Sequence, residues 1–192
     1  MRIFGIDPGS ERTGYGCVET DGRRHRMVTC GTITARAAEG LPERLVRIHR
    51  ELAVQLEACR PGCVAIENLF HARNARSALR LGHARGVAML AAAQAGCLVV
   101  EYTPAEVKRA VVGYGRAEKQ QVQHMVRLLL GLPADPLSLD ATDALAVAIC
   151  HLHAHVPVPG TEAAVAVAVP VAAPAGRRRA VPRTWRQYRP PS

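Results

Sequence analysis

The stretch Ile3-Phe4-Gly5-Ile6-Asp7-Pro8-Gly9-Ser10 sets the frame for the rest of the chain. Alternation sends Phe4 and Ile6 to one face of a strand, and Ile3, Gly5 and Asp7 to the other. Pro8-Gly9 stops that strand one residue after the carboxylate, which puts the charge at the rim of a sheet. A carboxylate in the first strand of an apolar chain is costly without a partner. Either Asp7 bonds the turn backbone at Pro8-Gly9-Ser10, or it meets charges brought from elsewhere.

The next segments continue an antiparallel meander. Gly14 to Thr20 reads as a strand, Asp21-Gly22 as a hairpin turn, and His25 to Cys30 as a third strand. That strand either stops at Cys30 or runs on to Ala35 with a bulge at Gly31. Leu41-Pro42-Glu43 opens a helix with proline in its first turn. Leu45, Ile48, Leu52 and Leu56 keep its apolar face, and Arg60-Pro61-Gly62 ends it. Cys63-Val64-Ala65-Ile66-Glu67 is a short buried strand that again ends in a carboxylate. Ala72 to Ala95 is a long helix with Ala78, Gly82 and Gly86 at intervals of four. Interior glycines cost a helix about 1 kcal/mol each against alanine. The bare flank therefore serves close packing, either inside the monomer or at a self-complementary seam. Leu98 to Tyr102 is a strand. Helices follow at Pro104 to Val112, Glu118 to Leu130 and Asp140 to His155. The order β-β-β-α-β-α-β-α-α-α predicts an α/β fold: a five-stranded mixed sheet with helices on both faces.

Two predicted strand ends thus carry lone acids, Asp7 and Glu67, and the last helix carries Asp140 and Asp143 in its first turn. Residues three apart on a helix share a face. Four carboxylates from three distant segments repel one another when crowded, and divalent cations between them reverse the sign. Oxygen ligands suit Mg²⁺ or Mn²⁺, and a pair of such ions about 4 Å apart clamps the attacking and leaving oxygens of a phosphodiester. Each acid also has an ordinary explanation. Asp140 is placed to be an N-cap, with Asp143 favoured by the helix dipole. Glu67 has Arg73 as a possible ion-pair partner, and Asp7 has its turn. Jointly, those explanations need several coincidences where a metal site needs one geometry.

Taken in order, four motifs resemble the RuvC-type Holliday-junction resolvases. They are Gly5-Ile6-Asp7-Pro8-Gly9-Ser10 with Thr13-Gly14-Tyr15-Gly16, then Ala65-Ile66-Glu67-Asn68-Leu69-Phe70, then Glu118-Lys119-Gln120-Gln121-Val122, then Asp140-Ala141-Thr142-Asp143-Ala144-Leu145-Ala146. The resemblance spans roughly residues 1 to 155 without large gaps. It implies a ribonuclease-H-like fold and a homodimer, with symmetrical paired nicking of four-way DNA junctions to leave 5′-phosphate and 3′-hydroxyl ends. It also implies two Mg²⁺ per subunit, with Mn²⁺ as a substitute, held by Asp7, Glu67, Asp140 and Asp143 as the catalytic acids. Some members carry histidine at or near the position of Asp143; this chain keeps the acid. Family members work beside the RuvA and RuvB branch-migration proteins. By the same resemblance Phe70 is an aromatic wedge at the junction centre, with Arg73, Asn74 and Arg76 beside it as DNA contacts. Without the resemblance, Phe70 reads as a core residue capping the long helix, and its neighbours as a solvated helix start. Lys108 and Lys119 match the family's DNA-binding lysines, and they are the only lysines among 25 basic residues. An ammonium binds phosphate as a point charge.

Charge fits a polyanionic partner: the chain carries a formal +9, and the segment from 157 to 192 holds six arginines against Glu162. That segment, rich in Val, Pro, Ala and Arg, lacks any periodicity suited to a packed element. The expected division is a nuclease domain over 1–156 and a disordered basic tail over 157–192. No run of about 18 uncharged apolar residues suggests a membrane span, and the first residues form a strand rather than a signal peptide. The six cysteines lack C-x-x-C spacing and read as reduced thiols of a cytoplasmic protein. A G-x4-G-K-[ST] loop is absent, which argues against ATP-driven action. Two rivals remain at this level: a related nuclease cutting RNA or transposon ends, and an inert junction-binding scaffold.

Overall fold

A computed structural model describes residues 1–36, 38–68, 74–133 and 137–155. The chain opens with β1 (Arg2–Asp7), β2 (Arg12–Thr20) and β3 (His25–Thr34) and continues through α1 (Leu41–Cys59) and β4 (Cys63–Glu67). There follow α2 (Ala75–Gln94), β5 (Leu98–Tyr102), α3 (Pro104–Val112), α4 (Lys119–Leu130) and α5 (Leu139–His155). This is the predicted element order. The five strands lie side by side as β3-β2-β1-β4-β5. The first three pair antiparallel, whereas β1–β4 and β4–β5 pair parallel.

The pleat divides the core in two. Phe4, Ile6, Cys17, Ile33, Val64 and Ile66 pack under α1 and α2. Ile3, Val18, Cys63 and Ala65 pack under α3, α4 and α5. Alternation puts Asp7 and Glu67 on this second face with Ile3 and Ala65. In the parallel register Ile6 stands beside Ile66, so the two acids follow at neighbouring strand ends.

α5 is the central helix. From Ala144 to Leu152 every residue is buried, a broader apolar surface than the single stripe of Leu145, Ala148, Ile149 and Leu152 expected from spacing. It lies against the sheet with almost nothing between. A Cβ on Gly5 would stand 2.0 Å from the Ala144 carbonyl oxygen, and one on Gly14 2.0 Å from that of Asp140. Two strand glycines therefore set the depth at which α5 sits.

Several local expectations change. The ladder irregularity lies at Cys17/Val18, opposite Val28, and not at Gly31. Gly31 stays in register opposite Tyr15, where a Cβ would meet the phenol oxygen at 2.5 Å. α2 begins at Ala75 rather than Ala72, because the Asn74 side chain accepts from the Ser77 N–H at 2.9 Å and caps it. The cap of α5 is Ser138, whose Oγ accepts from the Ala141 N–H at 3.2 Å; Asp140 is thereby released from the capping role. No described helix is long and apolar enough to cross a membrane. Phe70, Arg73 and the tail from 157 onward lie outside the described residues.

Candidate metal and DNA site

Three chain segments deliver the four acids to one rim. β1 and β4 end side by side, so Asp7 and Glu67 share a side-chain hydrogen bond. α5 enters above them. Its first turn is pinned to the sheet by Ser138 Oγ, which lies 2.6 Å from Thr32 Oγ1 on β3. Thr32 pairs with Gly14, and Gly14 pairs with Asp7, so the start of α5 is registered directly over the β1 acid. The turn after β1 is closed by Thr13, whose buried hydroxyl donates to the Gly9 carbonyl at 2.7 Å and accepts from its N–H at 3.3 Å. The turn is tied by Thr13 rather than by Asp7.

The electrostatics record the crowding. Burial first, then the charges of Glu67 and Asp143, the hydrogen bond to Glu67 and the charge of Asp140 push the Asp7 carboxyl up to about 8. Glu67 is also raised. Burial and Asp143 push it upward, while the hydrogen bond from Asp7 and the charges of Lys119 and Lys108 hold it back. At neutral pH the pair shares a proton. The other two acids have basic partners: Arg12 Nε lies 2.6 Å from Asp140 Oδ2, and Lys119 Nζ lies 2.6 Å from Asp143 Oδ2. Burial pulls Lys119 down, but its hydrogen bond to Asp143 and the fields of Asp143, Asp7 and Asp140 outweigh it and raise its pKa.

The crowding is thus eased internally: Asp7 and Glu67 share one proton and keep one negative charge between them, while Asp140 and Asp143 each face a cation. Among the described residues no three ligating side chains already converge as a cage; Asp140 and Asp143 are drawn to Arg12 and Lys119 instead. The donor set nevertheless suits a hard divalent cation. It is made of carboxylate oxygens, and positive charge at this rim would offset the burial and the repulsion that keep Asp7 protonated.

Lys108 on α3 and Lys119 at the start of α4 line one cleft with Glu67 and Asp143. Its volume is about 240 Å³, and Val107 and Val122 form part of its wall. The predicted lysines and half of the predicted acids therefore share a groove, a placement suited to a phosphate backbone over a metal site. Asn74 and Arg76 lie exposed at the start of α2.

The family model of crossover junction endodeoxyribonuclease RuvC matches residues 3–151. The chain belongs to the RuvC family. A RuvC from Syntrophotalea carbinolica is 56% identical over 148 residues, covering 77% of this chain and 91% of that one. Thermus thermophilus RuvC in complex with a Holliday junction substrate is similar in structure, with a TM-score of 0.77 and 36% identity, over 81% of this chain and 95% of that one. The yeast mitochondrial Holliday junction resolvase shares the fold at 13% identity and a TM-score of 0.58, over 79% of this chain and 77% of that one. The fold is thus that of the RuvC and ribonuclease-H-like resolvases, and RuvC-family membership carries divalent-metal nuclease chemistry.

Sequence reasoning passed over Arg12 and the glycines beneath α5. The signal for the glycines was present. Gly14 and Gly16 alternate along β2, so they share a face, and missing side chains on one face of a strand mark close approach of another backbone. Arg12 had no such signal, because its partner stands 128 positions away.

Proposed function

We propose that this chain is a structure-specific endonuclease that resolves four-way DNA junctions by symmetrical paired nicks, leaving 5′-phosphate and 3′-hydroxyl ends in recombination and repair. The observation that carries the reading is the meeting of Asp7, Glu67, Asp140 and Asp143 at one sheet rim beside the Lys108–Lys119 cleft. In this reading the four carboxylates hold two Mg²⁺ per subunit, with Mn²⁺ as a substitute. Bound there, such ions supply a lowered water pKa and charge stabilisation at phosphate oxygens. The protein's part is to hold the acids in register through β1, β4 and α5, to give up the Asp7–Glu67 proton, and to anchor the backbone with Lys108 and Lys119. Phe70, Arg73, Asn74 and Arg76 are proposed to meet the junction's centre. The enzyme is proposed to act in the cytoplasm beside RuvA and RuvB.

Cleavage of a mobile synthetic four-way junction, run beside linear duplex and an RNA–DNA hybrid in Mg²⁺ and in Mn²⁺, tests the reading. Paired nicks confined to the junction are expected; preferential cutting of the hybrid would overturn it. Lys108→Ala and Lys119→Ala are each expected to weaken junction binding for all sequences alike. Each should also reduce the slope of log affinity against log salt by about 1, as expected for one lost phosphate contact. Fluorescence anisotropy at several salt concentrations measures both effects.

A homodimer gives two such sites for the two strands. Its proposed seam is the bare flank of α2. A Cβ on Gly82 or Gly86 would meet nothing within 4 Å, so packing within the subunit does not account for these glycines. Leu79 and Leu90 on the same helix are 63% and 50% exposed. Gly82→Glu should raise helix propensity by roughly 0.5–1 kcal/mol and yet convert the dimer to monomer in sedimentation equilibrium. An intact dimer would place the seam elsewhere.

A further inference from the structure

Arg12 is the first residue of β2, paired with Thr34 at the sheet rim. Two positions further on, the same face carries Gly14, against which the Asp140 backbone rests. The Arg12 side chain is 55% exposed, yet its Nε donates to Asp140 Oδ2 at 2.6 Å. That contact uses one of the guanidinium's five donors, so the group stands at the edge of the site, facing both the acid and solvent. Among the four acids, Asp140 and Asp143 are the ones that the structure pairs with side-chain cations. Lys119 belongs to the cleft, whereas Arg12 stands outside it.

We propose that Arg12 is a positioning residue that competes with divalent cation for Asp140: its guanidinium holds the carboxylate in the metal-free protein and turns to a DNA phosphate when the carboxylate takes up metal. This inference rests on the reading of Asp140 as a metal-binding acid. The physical basis is simple. A carboxylate engaged by a guanidinium must give up a charge-assisted hydrogen bond before it serves an ion. A phosphate offered to the same guanidinium compensates that loss, and Arg12 has donors to spare for it. Metal uptake and DNA binding are then coupled through one side chain, each favouring the other. Without DNA, Arg12 keeps the acids apart from adventitious cations and holds the first turn of α5 in place despite the crowding below.

The test is Mn²⁺ binding to the full chain without DNA, followed by electron paramagnetic resonance of free Mn²⁺. Arg12→Gln should bind Mn²⁺ about three- to fivefold more tightly than wild type, the scale of losing one exposed ion pair, while Arg12→Lys should stay near wild type. In Mg²⁺, the Gln variant should show a raised KM for a four-way junction and a shallower salt dependence of that KM. Unchanged or weaker Mn²⁺ affinity in Arg12→Gln overturns the competition, and an unchanged KM overturns the transfer to phosphate. Asp7→Asn separates this inference from the reading beneath it. Loss of Mn²⁺ binding in Asp7→Asn upholds the acid site whatever Arg12 does, while retained binding overturns both.

Discussion

Asp7→Asn is expected to abolish junction cleavage, by at least about 10³-fold, while leaving junction binding near wild type. Asparagine keeps the size of the side chain and a hydrogen bond to Glu67, but it cannot ionise at the point where burial and three other acids bear on one carboxyl. The same substitution has an opposite effect on metal-free stability. The folded protein holds the Asp7 proton up to about pH 8, whereas an unfolded aspartate releases it near 4. Between those values the folded state binds more protons than the unfolded one. Stability from this group is therefore fully present below about pH 4 and is lost as pH rises through about 8. Wild-type protein in EDTA should denature at a lower temperature at pH 8 than at pH 5.5. Asp7→Asn should lose most of that difference and be the more stable of the two at pH 8. Mg²⁺ should then raise the melting temperature of the wild type and leave that of Asp7→Asn nearly unmoved. Thermal melts at the two pH values, with and without Mg²⁺, read all of these effects. A variant that cuts at the wild-type rate, or that melts with the wild-type pH dependence, would remove Asp7 from the site.

The legibility of this molecule followed the range of the interactions involved. Strand pairing at Asp21-Gly22, the apolar face of α1 and the carboxylate endings of β1 and β4 are local patterns, and they read correctly from adjacent residues. The order of elements followed from them, because a meander followed by crossover helices leaves few sheet topologies open. A shared rim for the acids was readable as a possibility from residue type alone; the resemblance to a family turned it into an expectation. Helix starts were harder. Asn74 and Ser138 take their cap positions by hydrogen bonds to Ser77 and Ala141, and several polar residues near each start were equally plausible in sequence. Least visible were contacts made across the whole chain. The ion pair from Arg12 to Asp140 and the hydroxyl pair from Thr32 to Ser138 depend on α5 lying over β2 and β3, and no periodicity announces that. The bare flank of α2 is legible in the spacing of Ala78, Gly82 and Gly86, whereas the open space beside Gly82 is not.

Gly5→Ala and Gly14→Ala should damage the molecule in two distinguishable ways, although each adds one methyl group. At Gly5 the new Cβ would stand 2.0 Å from the Ala144 oxygen and 2.8 Å from the Ala148 nitrogen. Both obstacles are helix backbone, which cannot rotate aside. α5 must lift from the sheet along its buried middle, loosening the core that holds Leu145, Ile149 and Leu152. The expected cost is about 3 kcal/mol, the upper end for overpacking. At about 2–4 °C per kcal/mol for a domain of this size, that lowers the melting temperature by roughly 6–12 °C. At Gly14 the obstacle is the Asp140 carbonyl, also 2.0 Å away, in the first turn of the helix. The first turn can yield there at less cost to the core, but it carries Asp140 and Asp143 away from Asp7 and Glu67. A displacement near 1 Å in a reacting constellation costs about 10²-fold in rate. Gly14→Ala should therefore lose that much cleavage with a smaller drop in melting temperature, together with weaker Mn²⁺ binding. Gly16→Ala provides the comparison on the same strand face. Its nearest obstacles are side-chain atoms of Leu145 at 2.7 and 2.8 Å, with helix backbone no nearer than 3.3 Å, so it should be milder than either. If Gly14→Ala bound Mn²⁺ and cut junctions as the wild type does, the depth of α5 would not be what holds the acids together.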